Sequence, residues 1–377
     1  RGFFFANRIW HCPRKRTAAA TNDGYTLGAM NTNRQWRVKR HPQPDEVINA
    51  EHFELVETDI PDIGEDEFLV RTLTLGTSPA QRGYVDPRKP DIVPVGEIMR
   101  GRGIGVVEAS NHPDFQRGDW VNASMGWQEW SVQTLGRGPV QSMDVLSVQK
   151  VDNTLRPSTL HLGTLGSAAF AALYGIEDIG LISAGKTVVV SAAAGGVGSM
   201  ACQVAKVHDC RVVGIAGGPD KCAWITGTVG CDAAIDYKSE NIAEALDRLC
   251  PDGIDIYFDN VGGPMLDLVL QRLAIHARVV ICGYIATQYL PERPPGPSHY
   301  TDLLGRRARM EGFVIWDNVK RYPEFFAKLK GWFDEGRITR DVEEVTPGIE
   351  TMPAALNSLF TGGNQGIRLV QVSPDPD

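Results

Sequence analysis

Between Asn33 and Val151 the chain has no cysteine, and its histidines there, His41, His52 and His112, stand apart in Pro- or acid-flanked contexts. A catalytic zinc needs three ligands of Cys, His or carboxylate type, and a structural zinc usually needs four cysteines. No metal is therefore expected in that stretch, and the three histidines read as solvated surface residues. Over the whole chain the seven cysteines (Cys12, Cys202, Cys210, Cys222, Cys231, Cys250, Cys282) are scattered, with no C-x-x-C pair. Most sit in apolar runs, as free thiols of a reducing compartment do. No apolar run approaches the roughly 18 residues of a membrane-spanning helix. Positive charge is in deficit, with 38 Lys and Arg against 46 Asp and Glu and a net charge of −8. That balance argues against a nucleic-acid or anionic-membrane partner. No internal repeat is present, and 377 residues leave room for two domains with sizeable cores.

The most informative stretch is Thr187 to Lys221, TVVVSAAAGGVGSMACQVAKVHDCRVVGIAGGPDK. A β-branched run, Thr187 to Ser191, reads as a strand buried on both faces. A turn of small residues follows, then Met200, Val204 and Val207 at helical spacing, then a second apolar run from Arg211 to Ala216. Within the turn, Ala193-x-Gly195-x-x-Gly198 stands in the frame of the dinucleotide fingerprint, with Ala in place of the first Gly. Small residues let the backbone turn tightly and approach a pyrophosphate, which the following helix N-terminus attracts. Gly195, Gly196, Val197 and Gly198 are the expected cradle. What is lacking at the end of the second strand selects the cofactor. An NAD site needs an acid there for the ribose hydroxyls. Here the strand runs into Ala216-Gly217-Gly218-Pro219-Asp220-Lys221, leaving room for a 2′-phosphate and placing a cation beside it. NADP(H) is the expected cofactor, with Gly217 and Lys221 on its phosphate side.

Residues 1–29 carry Arg1, Arg8, Arg14, Lys15 and Arg16 against one acid, Asp23. Such a leader resembles a mitochondrial transit peptide; the alternative is translated sequence upstream of Met30. The expected location is accordingly cytoplasmic, or mitochondrial if the leader is a transit peptide. From Asn33 to Val151, short strands (Phe53 to Val56, Phe68 to Leu75, Gly103 to Ala109, Trp120 to Ala123) alternate with turns, as in a compact β domain. A small-residue helix, Leu165 to Tyr174, leads to the nucleotide unit. After Lys221 the α/β alternation continues, with strands at Ala233 to Asp236, Ile254 to Phe258 and Arg278 to Ile281, and helices at Glu240 to Cys250 and Met265 to Leu273. Ligands of doubly wound sheets bind beyond the carboxyl ends of the strands, which makes Asn260 and Cys282 to Ile285 candidate contacts. Met310 to Trp316 reads as a last edge strand, Tyr322 to Phe333 as a helix, and Gly366 to Val372 as a strand rejoining the β domain. The expected class is α/β with a Rossmann-type parallel sheet. The expected division is 30–160 with 342–377 as the catalytic β domain and 161–341 as the nucleotide domain.

Asp259-Asn260-Val261-Gly262-Gly263, Gly96-Glu97-Ile98-Met99-Arg100-Gly101, Arg82-Gly83, Asn111-His112-Pro113-Asp114, Gly126-Trp127-Gln128-Glu129-Trp130, Cys210-Arg211-Val212-Val213-Gly214 and Gly363-Asn364-Gln365-Gly366 complete the pattern. Together they resemble a medium-chain dehydrogenase/reductase, in the zinc-independent branch of NADPH-dependent 2-alkenal, prostaglandin and curcumin reductases. The resemblance runs from about Asn33 to Val372. It implies a GroES-like β domain beside the Rossmann domain, with the nicotinamide held between them. It also implies that Lys221 and Tyr237 face the 2′-phosphate. Asn260, Cys282, Gly283, Tyr284, Ile285, Phe313, Val314, Ile315 and Asn364 would line the ribose and nicotinamide. The chain departs from the family at Ser78-Pro79-Ala80-Gln81-Arg82-Gly83, which stands where Asp-Pro-Tyr-Met-Arg-Gly is usual, so a pocket tyrosine is absent. The family's Tyr-Asn falls on Gln288-Tyr289, displaced by one residue, and Gly-Lys becomes Gly366-Ile367-Arg368.

Without a metal, an activated alkene is an easier hydride acceptor than an isolated carbonyl, because charge moves to the carbonyl oxygen as an enolate. A phenol can hydrogen-bond that oxygen and supply a proton, so Tyr84 and Tyr289 are the candidate catalytic residues. Trp127 and Trp130 are candidate apolar walls. The expected activity is NADPH-dependent reduction of the C=C bond of an enone or enal. The alternatives are a quinone reductase and a non-catalytic nucleotide-binding scaffold. An apolar edge at Met310 to Trp316 also predicts a homodimer joined through the nucleotide domain.

Overall fold

The computed structural model describes residues 32–135, 148–292 and 294–377. The basic leader and Cys12 lie outside the described residues. The strand Thr187–Val190 sits at the centre of a six-stranded parallel sheet. Its neighbours are Arg211–Ala216 and then Ala233–Asp236 on one side, and Ile254–Asp259, Leu273–Ile281 and Arg309–Gly312 on the other. Numbered by sequence within this sheet, the order is 3-2-1-4-5-6, the Rossmann arrangement. The order reverses beside Thr187–Val190, so a crevice opens there at the carboxyl ends. Val188, Val189 and Val190 are all buried, as expected of a strand covered on both faces. One face packs under the helices Ser167–Tyr174, Gly196–Val207 and Tyr322–Asp334, the other under Ile242–Leu249 and Gly263–Leu270.

The second sheet has seven strands, all antiparallel except the pair Glu343–Pro347 and Ile367–Gln371. It holds Glu67–Gly76, Arg102–Ser110, Trp120–Ser124, Trp130–Thr134 and Gln149–Val151 from the first part of the chain. Ile367–Gln371 returns to it beside Glu67–Gly76, Val370 opposite Leu75, as its apolar pattern predicts. Alternation along the start of Glu67–Gly76 buries Phe68 and Val70, and a register shift between Thr72 and Thr74 brings Leu75 to the same side, with Trp127 and Met125 in a core of its own. Both sheets belong to one unit, Thr32–Asp377.

Three local expectations are corrected. The helix expected to run to Leu273 covers Gly263–Leu270, because Leu273 pairs with Ile254 and opens the strand that continues to Ile281. The edge strand expected over Met310 to Trp316 is only Arg309–Gly312, and a 3-10 turn covers Ile315–Arg321. The chain leaves the edge there because Phe313 packs on Tyr174 at 5.4 Å and Ile315 enters the core. His52 is not a surface residue: it is fully buried, its Nε2 3.2 Å from Glu46.

Candidate nucleotide and substrate cleft

Beyond the carboxyl end of Thr187–Val190 the chain turns through Ala192, held at a φ of 48°, and enters the helix Gly196–Val207. No side chain caps this helix, so its first N–H groups are left for a ligand. A Cβ on Gly198 would lie 2.1 Å from the carbonyl oxygen of Ala192. That close approach explains the glycine. Gly195, Gly196, Val197 and Gly198 all line a continuous cleft of about 1240 Å³, roomier than the roughly 300–1,000 Å³ of a drug-sized site. The return strand is stitched to this turn, since Gly366 N donates to the Ala194 carbonyl at 2.8 Å. Nothing in the sequence marks that contact.

The second turn behaves as the missing acid predicted. Asp236, nearest the strand end, is consumed by the protein itself: it accepts from Gly218 N at 2.7 Å, Lys238 N at 3.0 Å and Ser239 Oγ at 2.7 Å. These bonds hold its carboxyl below the usual carboxylate range. Asp220 is exposed and outside the cleft lining. Lys221 lines the cleft, and among the described residues neither it nor Lys238 forms an ion pair. Burial and then the nearby Lys238 lower the Lys221 pKa, which is how two cations await an anion. Gly217 must be small because the Tyr237 ring lies where a Cβ would go, 2.7 Å away. Tyr237 itself is half exposed along the cleft.

The third loop is tied down by hydrogen bonds. Asn260 donates through Nδ2 to the Ser191 carbonyl at 2.7 Å, and Asp259 Oδ1 accepts from Val261 N and Gly262 N. Burial raises the Asp259 pKa. Burial and the Asp259 charge push the Cys282 thiol up to about 12, so it is not a nucleophile. Asn260, Cys282, Gly283, Tyr284, Ile285, Ile315 and Asn364 all line the cleft. Phe313 and Val314 do not: Phe313 faces the core, and Val314 faces solvent at 51% exposure.

On the substrate side, Tyr84 and Tyr289 both line the cleft. The Tyr289 hydroxyl donates to the Pro79 carbonyl at 2.9 Å, and its ring stands 4.9 Å from the Arg82 guanidinium. Burial raises its pKa well above the ordinary tyrosine value, so it stays a neutral donor. Tyr84 packs against the β-domain core below Arg100. Trp127 and Trp130 are not walls of the site. Both are buried in the β domain, Trp127 against Phe53 at 4.9 Å. Sequence reasoning gave no role to Arg82, Phe360 or His161, which also border the cleft.

The family described as N-terminal domain of oxidoreductase matches residues 34–138, and that described as zinc-binding dehydrogenase matches 196–330. An NADPH-dependent curcumin reductase of Escherichia coli (strain K12) is 38% identical over 91% of this chain and 98% of its own length. A 2-alkenal reductase (NADP(+)-dependent) of Nicotiana tabacum is 36% identical over 82% of this chain and 88% of its own. The crystal structure of CurA in complex with NADPH from Vibrio vulnificus has a TM-score of 0.81 and 37% identity, over 90% of this chain and 99% of that one. The chain belongs to the medium-chain dehydrogenase/reductases. Within that family some members hold zinc, and the described residues do not fit it: no group of three or more His, Cys, Asp or Glu side chains could ligate an ion. A chelator is therefore expected neither to inhibit this reductase nor to lower its melting temperature. Stoichiometric zinc in the active protein, measured by mass spectrometry, would contradict that.

Proposed function

We propose that this chain reduces the carbon–carbon double bond of α,β-unsaturated ketones and aldehydes with NADPH, without a metal. The observation that carries the reading is the make-up of the long cleft described above. At one end an uncapped helix and a lysine with no ion pair among the described residues suit a 2′-phosphorylated dinucleotide. At the other end lie two tyrosines and apolar side chains. The names of the curcumin and 2-alkenal reductases support the substrate class. Residues 30–160 with 342–377 would act as the substrate-binding body and 161–341 as the nucleotide-binding body.

When bound, NADPH supplies the hydride for the β-carbon. The pyrophosphate suits the N–H groups of Gly195 to Gly198, and the 2′-phosphate suits Lys221 with Gly217 and Tyr237. Asn260, Cys282 to Ile285, Ile315 and Asn364, which line the cleft, would hold the ribose and nicotinamide. The rest of the work is orientation and charge. Fixing the enone in line is worth several orders of magnitude in rate. Hydrogen-bond donors aimed at the carbonyl oxygen stabilise the enolate as it forms. A tyrosine then gives that enolate its proton and recovers one from water. Tyr289→Phe is expected to lower kcat by about 100-fold with NADPH affinity unchanged, and Tyr84→Phe by less. Equal, small effects in both variants would remove the phenols from the reaction.

A screen of enones and quinones, read as NADPH oxidation, tests the activity. Turnover of quinones alone would favour the quinone reductase, and turnover of neither would leave a nucleotide-binding scaffold.

The nucleotide body also proposes a homodimer. Arg309–Gly312 is an exposed sheet edge, whose unpaired backbone groups suit a second copy across a two-fold axis. The aromatic motive for pairing is gone, because Phe313 and Trp316 pack on their own chain. Light scattering should give twice the chain mass, and a single chain mass at micromolar concentration would exclude the dimer.

A further inference from the structure

Arg82 is 1% exposed, borders the cleft and has no ion pair among the described residues. A buried charge without a partner is costly. The two acids near it are engaged elsewhere. Asp86 is gripped by Arg88, Oδ1 at 3.0 Å from Nε and Oδ2 at 2.8 Å from Nη2. Glu46 is gripped by Arg40 at 2.6 and 2.9 Å. Arg82 Nη2 is anchored on backbone, donating to the carbonyl of Gln43 at 2.8 Å and to those of Pro44 and Glu46 at 3.5 Å. Nη1 is buried and donates to nothing. One edge of the guanidinium is thus fixed and the other is idle. Tyr289 lies over the group at 4.9 Å, its hydroxyl committed to Pro79.

We infer that Arg82 Nη1 is the charged donor for the oxygen of the substrate, bared when Tyr289 swings off its ring contact. This rests on the enone reading above. The same swing releases the phenol from the Pro79 carbonyl, so one movement supplies the donor for the oxyanion and the proton that later quenches it. As hydride reaches the β-carbon, the C=C electron pair moves to the α-carbon–carbonyl unit and the negative charge gathers on oxygen, opposite the guanidinium. Anchoring by three carbonyls keeps Arg82 from following Tyr289, which preorganises the donor. Lysine cannot replace it, because an ammonium held by those carbonyls has no second, rigid edge to offer.

The test uses a phenolate as the enolate's stand-in, so it needs no turnover. 4-Nitrophenol is titrated into the purified protein saturated with NADP+, and the visible absorbance of the phenolate reports the bound ionised form. NADPH affinity is measured alongside by quenching of protein fluorescence. Arg82→Met and Arg82→Lys should each weaken phenolate binding by about 10- to 100-fold while leaving NADPH affinity within about twofold. Arg82→Lys keeps a donor for the three carbonyls and carries the test if Arg82→Met does not fold. Phenolate binding equal to wild type in either folded variant would overturn the inference. So would a parallel loss of NADPH affinity, which would assign the charge to the cofactor. A wild type that binds phenolate through Arg82 but reduces no enone would keep the anion site and remove the enone activity.

Discussion

Gly198→Ala is expected to weaken NADPH binding by about 10- to 100-fold and to lower stability by about 1–3 kcal/mol. The new Cβ would stand 2.1 Å from the Ala192 carbonyl oxygen, 2.8 Å from its carbon and 3.0 Å from Ala193 Cα. All three atoms are backbone, so no side chain can move aside. Relief must come from displacing the turn or the first turn of the helix, and both carry the N–H groups meant for the pyrophosphate. The contrast is Gly227→Ala, at a helical position where a Cβ would meet nothing within 4 Å. There alanine should be neutral or slightly stabilising. Isothermal titration with NADPH and thermal melts of both variants check this. Equal affinities for Gly198→Ala and wild type would mean that the turn does not hold the pyrophosphate.

Lys221→Ala should raise the NADPH Kd by about 10- to 100-fold and leave the NADH Kd nearly unchanged. A hydrogen bond to a charged group contributes about 1.5–3 kcal/mol, and it exists only when the 2′-phosphate is there to receive it. Lys221 suits the role because no carboxylate pairs with it among the described residues: Asp236 is spent on Gly218, Lys238 and Ser239, and Glu344, whose charge reaches Lys221, is paired with Arg368. Lys238 stands near enough to lower its pKa, so part of the affinity should survive in the variant and fall again in Lys221→Ala/Lys238→Ala. Fluorescence titrations with both nucleotides separate the effects. A matching loss with NADH would show that Lys221 supports the fold of the turn rather than reading the phosphate.

The Thr187 to Lys221 unit was legible because its signals are local. A buried β-branched run, a small-residue turn and a helical period each declare themselves within a few residues. The same holds for the absent acid at Ala216. The misread elements were decided at a distance. Phe313 ends the edge strand because Tyr174, far away in sequence, offers it a partner. Trp127 and Trp130 looked like walls of a pocket, yet Phe53 and the β-domain core take Trp127, and Trp130 is buried in the strand that pairs with Glu67–Gly76. Asp236 is a short strand's last residue in the sequence, and only the fold turns it back onto Gly218. Arg82 lay inside a motif, but its solitude depends on where Gln43, Pro44 and Glu46 place their carbonyls and on which acids other arginines have taken. Gly366 meets Ala194 only because the last strand, on its way into the seven-stranded sheet beside Glu67–Gly76, begins next to the nucleotide turn.

The most direct measurement of the central claim is the position of transferred hydrogen. The protein is incubated with NADPH carrying deuterium at nicotinamide C4 and a simple 2-alkenal, and the product is read by NMR and mass spectrometry. Hydride delivery to the alkene predicts a saturated aldehyde with deuterium on its β-carbon, and solvent-derived hydrogen on the α-carbon. An allylic alcohol with deuterium on the carbonyl carbon would contradict the account.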